Sequence, residues 1–257
     1  MKIGIDRRLY TVVAGFCAAT FLLTAAQAQG SAHSAKNVLL VHGAWADGSS
    51  WSKVIPKLEA RGLNVVAVQL PLTSLADDVA TVQRALALED GPVLLVGHSY
   101  GGVIITEAGN DPKVAGLVYV AAFAPDAGES AGSLGSTVAP APIDAEIRPD
   151  AGGFLKLTKD GVFKDFAQDL TPGEKDIVFA TQAPTFGKAL GGTVTTPAWK
   201  TKPSWYIVAA NDRAIPPNLE MTMAKKIKAE TISITSSHVA MLSQPDKVAA
   251  FIVRAAQ

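Results

Sequence analysis

Cysteine is nearly absent: one residue in 257, Cys17, and it lies in the N-terminal segment. Excess charge is absent too, with 23 Lys and Arg against 23 Asp and Glu. That balance argues against the general basic surface of a nucleic-acid binder. A hydrophobic content of 48 % excludes intrinsic disorder. There is no internal repeat and no low-complexity tract. Histidine is scarce, four in the whole chain, which narrows any search for a catalytic base. The length suits one α/β domain with a sizeable core.

The first residues carry their own pattern. Lys2, Arg7 and Arg8 precede a mostly apolar, uncharged run from Leu9 to Ala25, and Ala26-Gln27-Ala28 then offers small residues at the cleavage-specifying positions. This is the pattern of a secretory signal peptide over residues 1–28; the alternatives are an uncleaved membrane anchor and, with a poorer fit at Asp6 and Tyr10, a twin-arginine signal. Export to a periplasm or the medium is expected, with no stable membrane anchor after cleavage. Cys17 leaves with the signal, so the remainder holds no disulfide, no thiol nucleophile and no thiolate metal ligand. Residues 29–36 read as a flexible tether, and 37–257 as one domain.

Within that domain strands and helices alternate. Strands are expected at Asn37–Val41, Leu63–Leu70, Val93–Val96, Val114–Phe123, Ser204–Ala210 and Thr231–Thr235. Between them lie helical patterns at Ser52–Ala60, closed by Gly62, at about Ser74–Leu88, opened by Ser74 and Asp77, and at Gly101–Gly109. A last helix starts at Pro245 with Ser243 as candidate cap and reaches about Ala255. Strands apolar on both faces, separated by helices, imply a parallel sheet covered on both sides. The stretch from about 125 to 203 breaks the alternation. It is too long for a plain connection, shows no clear strand, and has weak helical patterns at Phe154–Leu157, Val162–Leu170 and Glu174–Thr181. It is expected to be a small helical cap above the sheet edge, with its phenylalanines buried against something.

The chemistry begins at Gly97-His98-Ser99-Tyr100-Gly101, a G-x-S-x-G between the apolar run Val93–Val96 and an apolar helix. That context is what a nucleophile elbow requires, with Ser99 on a sharp strand-to-helix turn. A serine hydroxyl needs a base. His238 follows the last strand and is the best candidate; His42 and His98 are expected to shape the site floor, and His33 falls in the tether. The base needs a carboxylate to hold its tautomer. Asp212, at the end of the strand Ser204–Ala210, is favoured over Asp126, just after the strand ending at Phe123. An oxyanion needs two backbone donors: the amide of Tyr100, and that of Ala44 or, as the alternative, Trp45. Trp45 and Tyr100 are candidates for the substrate wall, whereas Trp51 is expected in the core.

Four segments together resemble the α/β-hydrolase superfamily, and in particular bacterial relatives of the plant methylesterase and hydroxynitrile-lyase branch. They are Val41-His42-Gly43-Ala44-Trp45, Gly97-His98-Ser99-Tyr100-Gly101-Gly102, Ala210-Asn211-Asp212-Arg213-Ala214-Ile215-Pro216 and His238-Val239-Ala240-Met241-Leu242-Ser243-Gln244-Pro245. The resemblance runs from about residue 37 to the C-terminus. It implies an α/β-hydrolase fold with an eight-stranded, mostly parallel sheet whose second strand is antiparallel, and a triad of Ser99, Asp212 and His238. Cyanohydrin-cleaving members of that branch carry a lysine after the histidine of the triad and a threonine after the first-strand histidine. Val239 and Gly43 stand there, which points to hydrolysis. Ser99 excludes the aspartate-nucleophile chemistry of dehalogenases and epoxide hydrolases.

The function expected is serine hydrolysis of a small carboxylic ester through an acyl-enzyme, with a small-molecule ester as partner and no metal or organic cofactor required. The alternatives are a perhydrolase, amidase or C–C bond hydrolase on the same triad, and a non-catalytic small-molecule binding protein on the same fold.

Overall fold

The computed structural model describes residues 34–257. The expected signal peptide and residues 29–33 of the expected tether lie outside the described residues. Ala35 is already buried, and its amide donates to the Ala256 carbonyl at 2.9 Å, so the packed body includes residues ahead of Asn37.

Each of the six apolar runs forms a strand of one sheet: β1 (Asn37–Val41), β2 (Asn64–Val68), β3 (Val93–Ser99), β4 (Val114–Ala122), then β8 (Ser204–Ala209) and β9 (Glu230–Ile234) after an insertion that holds β5 to β7. Their order is β2-β1-β3-β4-β8-β9 and every pairing is parallel. β1 and β3 are buried at every residue, as central strands covered on both faces must be. β2 and β9, at the edges, alternate with exposed positions. The eight-stranded sheet with an antiparallel second strand is therefore corrected: among the described residues this sheet has six strands, all parallel.

Chain order reverses between β1 and β3, because β1 leads outward to β2 and the chain then returns to the far side of β1. Parallel α/β sheets form a crevice at the carboxyl ends of the strands at such a reversal. Here those ends are His42–Trp45 and Ser99.

The helices follow their local signals. α1 (Ile55–Glu59) is shorter than expected, and Gly62, at φ +77°, turns the chain into β2. α2 (Leu75–Leu88) starts at Ser74, whose hydroxyl accepts from Asp77 N at 3.1 Å. It buries Leu75, Val79, Val82 and Leu86 at helical spacing. α3 (Gly101–Ala108) begins right after the turn that carries Ser99. The last helix, Pro245–Ala255, has Pro245 in its first turn, but Ser243 does not cap it. The Ser243 hydroxyl is taken by Ser236 at 2.6 Å instead.

The insertion between β4 and β8 corrects the expectation of a purely helical cap. It contains a small antiparallel sheet, β5 (Ile147–Pro149), β6 (Phe154–Leu157) and β7 (Thr185–Phe186), in the order β5-β6-β7. Phe154–Leu157 is thus a strand; four residues are too few for helical spacing to be told from alternation. Phe154 packs on Phe186 with ring centres 5.1 Å apart. Val162–Phe166 is a single π-helical turn, and Pro172–Thr181 is a helix opened by a reciprocal cap between Thr171 and Glu174. Phe166 is fully buried, and Phe163 and Phe179 pack half-buried against the core.

Candidate active site

Ser99 ends β3 at φ +54°, a left-handed backbone that a serine adopts only where its surroundings hold it there. They do so by close approach. A Cβ on Gly101 would sit 2.5 Å from the Val41 carbonyl oxygen, and one on Gly97 2.6 Å from that of Gly101. A Cβ on Gly43 would lie 2.6 Å from Ser99 Cβ and 3.2 Å from its Oγ. β1, β3 and α3 therefore converge around Ser99 at distances no side chain permits. The Gly97, Gly101 and Gly43 positions of the sequence motifs serve this packing.

His238 and Asp212 meet below the same opening. His238 Nδ1 lies 2.5 Å from Asp212 Oδ2, and both side chains are essentially inaccessible to solvent. The other carboxylate oxygen, Asp212 Oδ1, accepts from Ala214 N at 2.7 Å and Ile215 N at 2.9 Å. Those amides fix the carboxylate, and the carboxylate fixes the imidazole with its proton on Nδ1 and Nε2 free. Ser99 and His238 line one cavity of about 500 Å³, together with Ala44, Trp45 and Tyr100. Asp126 is elsewhere: it pairs with Lys200 at 2.6 Å near the surface, which holds its carboxyl below the usual range.

The two remaining described histidines are neutral and structural. His42 bonds the Gly43 carbonyl through Nδ1 at 2.9 Å and accepts from Leu70 N on Nε2 at 3.1 Å. Burial lowers its pKa. His98 lies under His238, ring centres 4.6 Å apart, and its Nε2 bonds the His238 carbonyl at 3.0 Å. Burial pushes its pKa well down, so it presents no competing charge. His33 lies outside the described residues.

Backbone donors near Ser99 are unequal. The Trp45 amide is committed to Thr185 Oγ1 at 3.1 Å. Among the described residues, the amides of Ala44 and Tyr100 have no protein acceptor, and both residues line the cavity. Trp45 itself holds φ +57°, and its indole N–H donates to the Leu155 carbonyl at 3.1 Å. The inserted segment thus grips the loop after β1 twice, from β6 and from β7. Trp51 is fully buried, as expected of a core residue.

Three features of the surroundings escaped the sequence. Phe166 stacks beside His238 with ring centres 5.0 Å apart, and Asp169 accepts from Ser237 N at 2.8 Å. Both come from the segment hardest to read. Asp78 is fully buried under Tyr100, accepting from its hydroxyl at 3.0 Å and from Leu72 N at 2.8 Å. Its spacing from Leu75 and Val82 places it on the buried stripe of α2, and that is the signal that marks it.

Burial raises the Asp78 carboxyl to about 6, above the 3.8 of an unpaired carboxyl. Because the folded value is the higher one, the stability tied to the protonated form is fully present below 3.8 and is lost as pH rises through about 6. Asp78→Asn keeps an acceptor for Leu72 N and carries no charge. Its thermal midpoint, followed by calorimetry across about pH 4 to 7, is expected to fall less with rising pH than that of the parent. Parallel curves would show that Asp78 stays charged when folded.

Comparisons with known proteins bear on the family of the chain. The model of the Alpha/beta hydrolase family matches residues 38–251. The chain is similar to Methylesterase 7 of Arabidopsis thaliana, 27 % identical, over 86 % of this chain and 96 % of that protein. It is also similar to the Pyrethroid hydrolase of Sphingobium wenxiniae, 27 % identical, over 83 % of this chain and 85 % of that one. Among solved structures, polyneuridine aldehyde esterase superposes with a TM-score of 0.76 at 21 % identity, covering 87 % of this chain and 100 % of that chain.

Proposed function

This chain belongs to the alpha/beta hydrolase family, and from that premise we propose that it is a serine esterase. Its substrate is a small, neutral, apolar carboxylic ester. Esterases among its relatives support ester hydrolysis in general. The observation that carries the finer reading is the cavity shared by Ser99, on its left-handed turn, and His238, whose Nδ1 is held by Asp212.

In this mechanism His238 Nε2 takes the proton of Ser99 Oγ as the oxygen attacks the ester carbonyl. The carbonyl oxygen becomes an anion and is met by the amides of Tyr100 and Ala44; the Tyr100 amide also opens α3, whose N-terminus is electropositive. The carbon–oxygen bond to the alcohol breaks, and His238 gives its proton to the leaving oxygen. Water then gives a proton to His238, attacks the acyl carbon and releases the acid, and Ser99 Oγ recovers its proton. Asp212 stays ionised and stabilises the imidazolium between the two transfers.

The cavity wall supports the substrate class. It is mostly small or apolar, including Ala131, Val138, Ile143, Leu190 and Leu219, and no Lys or Arg lines it among the described residues. The Asp144 carboxylate in the wall already accepts from Ala141 N at 2.9 Å. An ester carrying a free carboxylate would find no cation there and would have to leave water unpaired.

The test is a series of p-nitrophenyl esters with acyl chains from acetate to decanoate, alongside a matched ester ending in a carboxylate. The expected outcome is an optimum at short to medium chains, with kcat/KM for the carboxylate-bearing ester lower by about tenfold or more. Labelling of Ser99 by a fluorophosphonate should accompany turnover. A folded protein that neither hydrolyses these esters nor takes the label would overturn the proposal.

A further inference from the structure

Asp212 has a second carboxyl beside it. Glu220 lies eight residues further on, in the helix Pro217–Lys226, and is fully buried. Its Oε2 accepts from Ala209 N at 3.1 Å, at the end of β8. Its Oε1 is buried with no donor facing it. The side chain it meets is that of Asp212. Asp212 is occupied on its other sides by the Ala214 and Ile215 amides and by His238.

Among the described residues no Lys or Arg balances this pair. The charged and titratable groups acting on Glu220 are Asp212 and, from β8, Tyr206. The Tyr206 hydroxyl donates to the Ala122 carbonyl and so gives Glu220 no proton, and Tyr119, stacked on Tyr206, turns its own hydroxyl to Thr106. Two buried carboxylates in contact without a cation cannot both be ionised. Asp212 has three donors and Glu220 has one, so the charge belongs on Asp212 and the proton on Glu220.

We propose that Glu220 is a neutral carboxylic acid whose Oε1–H donates to Asp212, making Glu220 a positioning residue for the acid of the triad. Burial and the Asp212 charge both raise the Glu220 pKa well above the usual carboxylate range, in line with that assignment. The donated proton anchors Asp212 and draws charge away from the carboxylate that holds the imidazole. The carboxylate then pulls less on His238 Nδ1–H.

The inference rests on the triad proposed above, and its test separates the two. Infrared difference spectra of the whole protein near neutral pH should show a protonated carboxylic acid carbonyl band that Glu220→Gln removes; this needs no turnover. For ester hydrolysis, Glu220→Gln keeps both bonds, since its amide N–H replaces the O–H and its amide oxygen receives Ala209 N–H. Its kcat/KM is expected within about twofold of the parent, with the acidic limb of the pH profile unmoved. Glu220→Leu removes the donor, so kcat/KM should fall about tenfold and the acidic limb move up by about half a pH unit. An ionised Glu220 predicts the reverse: no acid band, and a limb that moves down in Glu220→Gln. Either of those results overturns the proposal. If Glu220→Leu does not fold, the spectrum and the Gln variant decide. A protein inert to every ester that still shows the band would refute the esterase and leave the shared proton standing.

Discussion

Ser99→Ala should fold, bind ester and turn it over about 10⁴- to 10⁶-fold more slowly than the parent. Folding is safe because the Ser99 backbone is held by Gly97, Gly101 and Gly43 packing close around it, and the substitution leaves that packing in place. The cavity gains a little room and loses no wall. On the proposed mechanism, what disappears is the atom that attacks, and with it the acyl-enzyme. Residual turnover would come from the Ala44 and Tyr100 amides and from His238 acting on water. Rates are read from initial velocities on the best ester of the series, with thermal midpoints measured in parallel. A variant that kept more than about a tenth of parental kcat would exclude Ser99 as nucleophile.

Asp212→Asn should lower kcat by about 10⁴-fold with little change in structure, because the pocket dictates which way an amide must face. Asp212 Oδ1 accepts from two backbone N–H groups, Ala214 and Ile215. An amide NH₂ placed there would meet two donors, so the oxygen of the introduced side chain takes that position. Its NH₂ is then forced toward His238 Nδ1. The imidazole must accept on Nδ1 and carry its proton on Nε2, and in that tautomer it cannot take the serine proton. The loss should be smaller at high pH, where hydroxide can serve as base, and the pH profile checks this. An unchanged kcat would show that the 2.5 Å contact between His238 and Asp212 plays no part in turnover.

The sheet was legible because burial wrote it plainly. Its central strands are apolar runs bounded by turn residues, and runs such as Val93–Val96 or Val114–Phe123 have no competing periodicity, while β9 shows the alternation of an edge strand. The candidate triad was legible because each member ends or closely follows a strand, next to telling residues: glycines around Ser99, Pro216 four residues after Asp212, and two serines before His238. The two missing strands were never in the residues; they came with the resemblance. The insertion resisted for a different reason. Its elements are three to ten residues long and are held by particular contacts, such as Trp45 to Leu155 or Ser237 to Asp169, which leave no periodic trace. Glu220 was hidden in a short helix, Pro217–Lys226, that is rich in polar residues. Yet it stands on the stripe of Met223, Ala224 and Ile227, and a carboxyl among apolar residues at that spacing is the mark of a buried acid.

The grip of the insertion on Trp45 bears on how this fold can diversify. The segment that shapes the cavity also holds, through Thr185 and Leu155, the residue next to the Ala44 amide. Specificity and rate are therefore not separate modules here. A segment borrowed from a relative would bring a new wall and, unless it reproduced both contacts, would release the loop to which the proposed mechanism assigns anion stabilisation. Exchange of this region between lineages should be rarer than point changes within it. The surviving exchanges should carry a hydroxyl and a free carbonyl at these two positions, whatever else around them has changed.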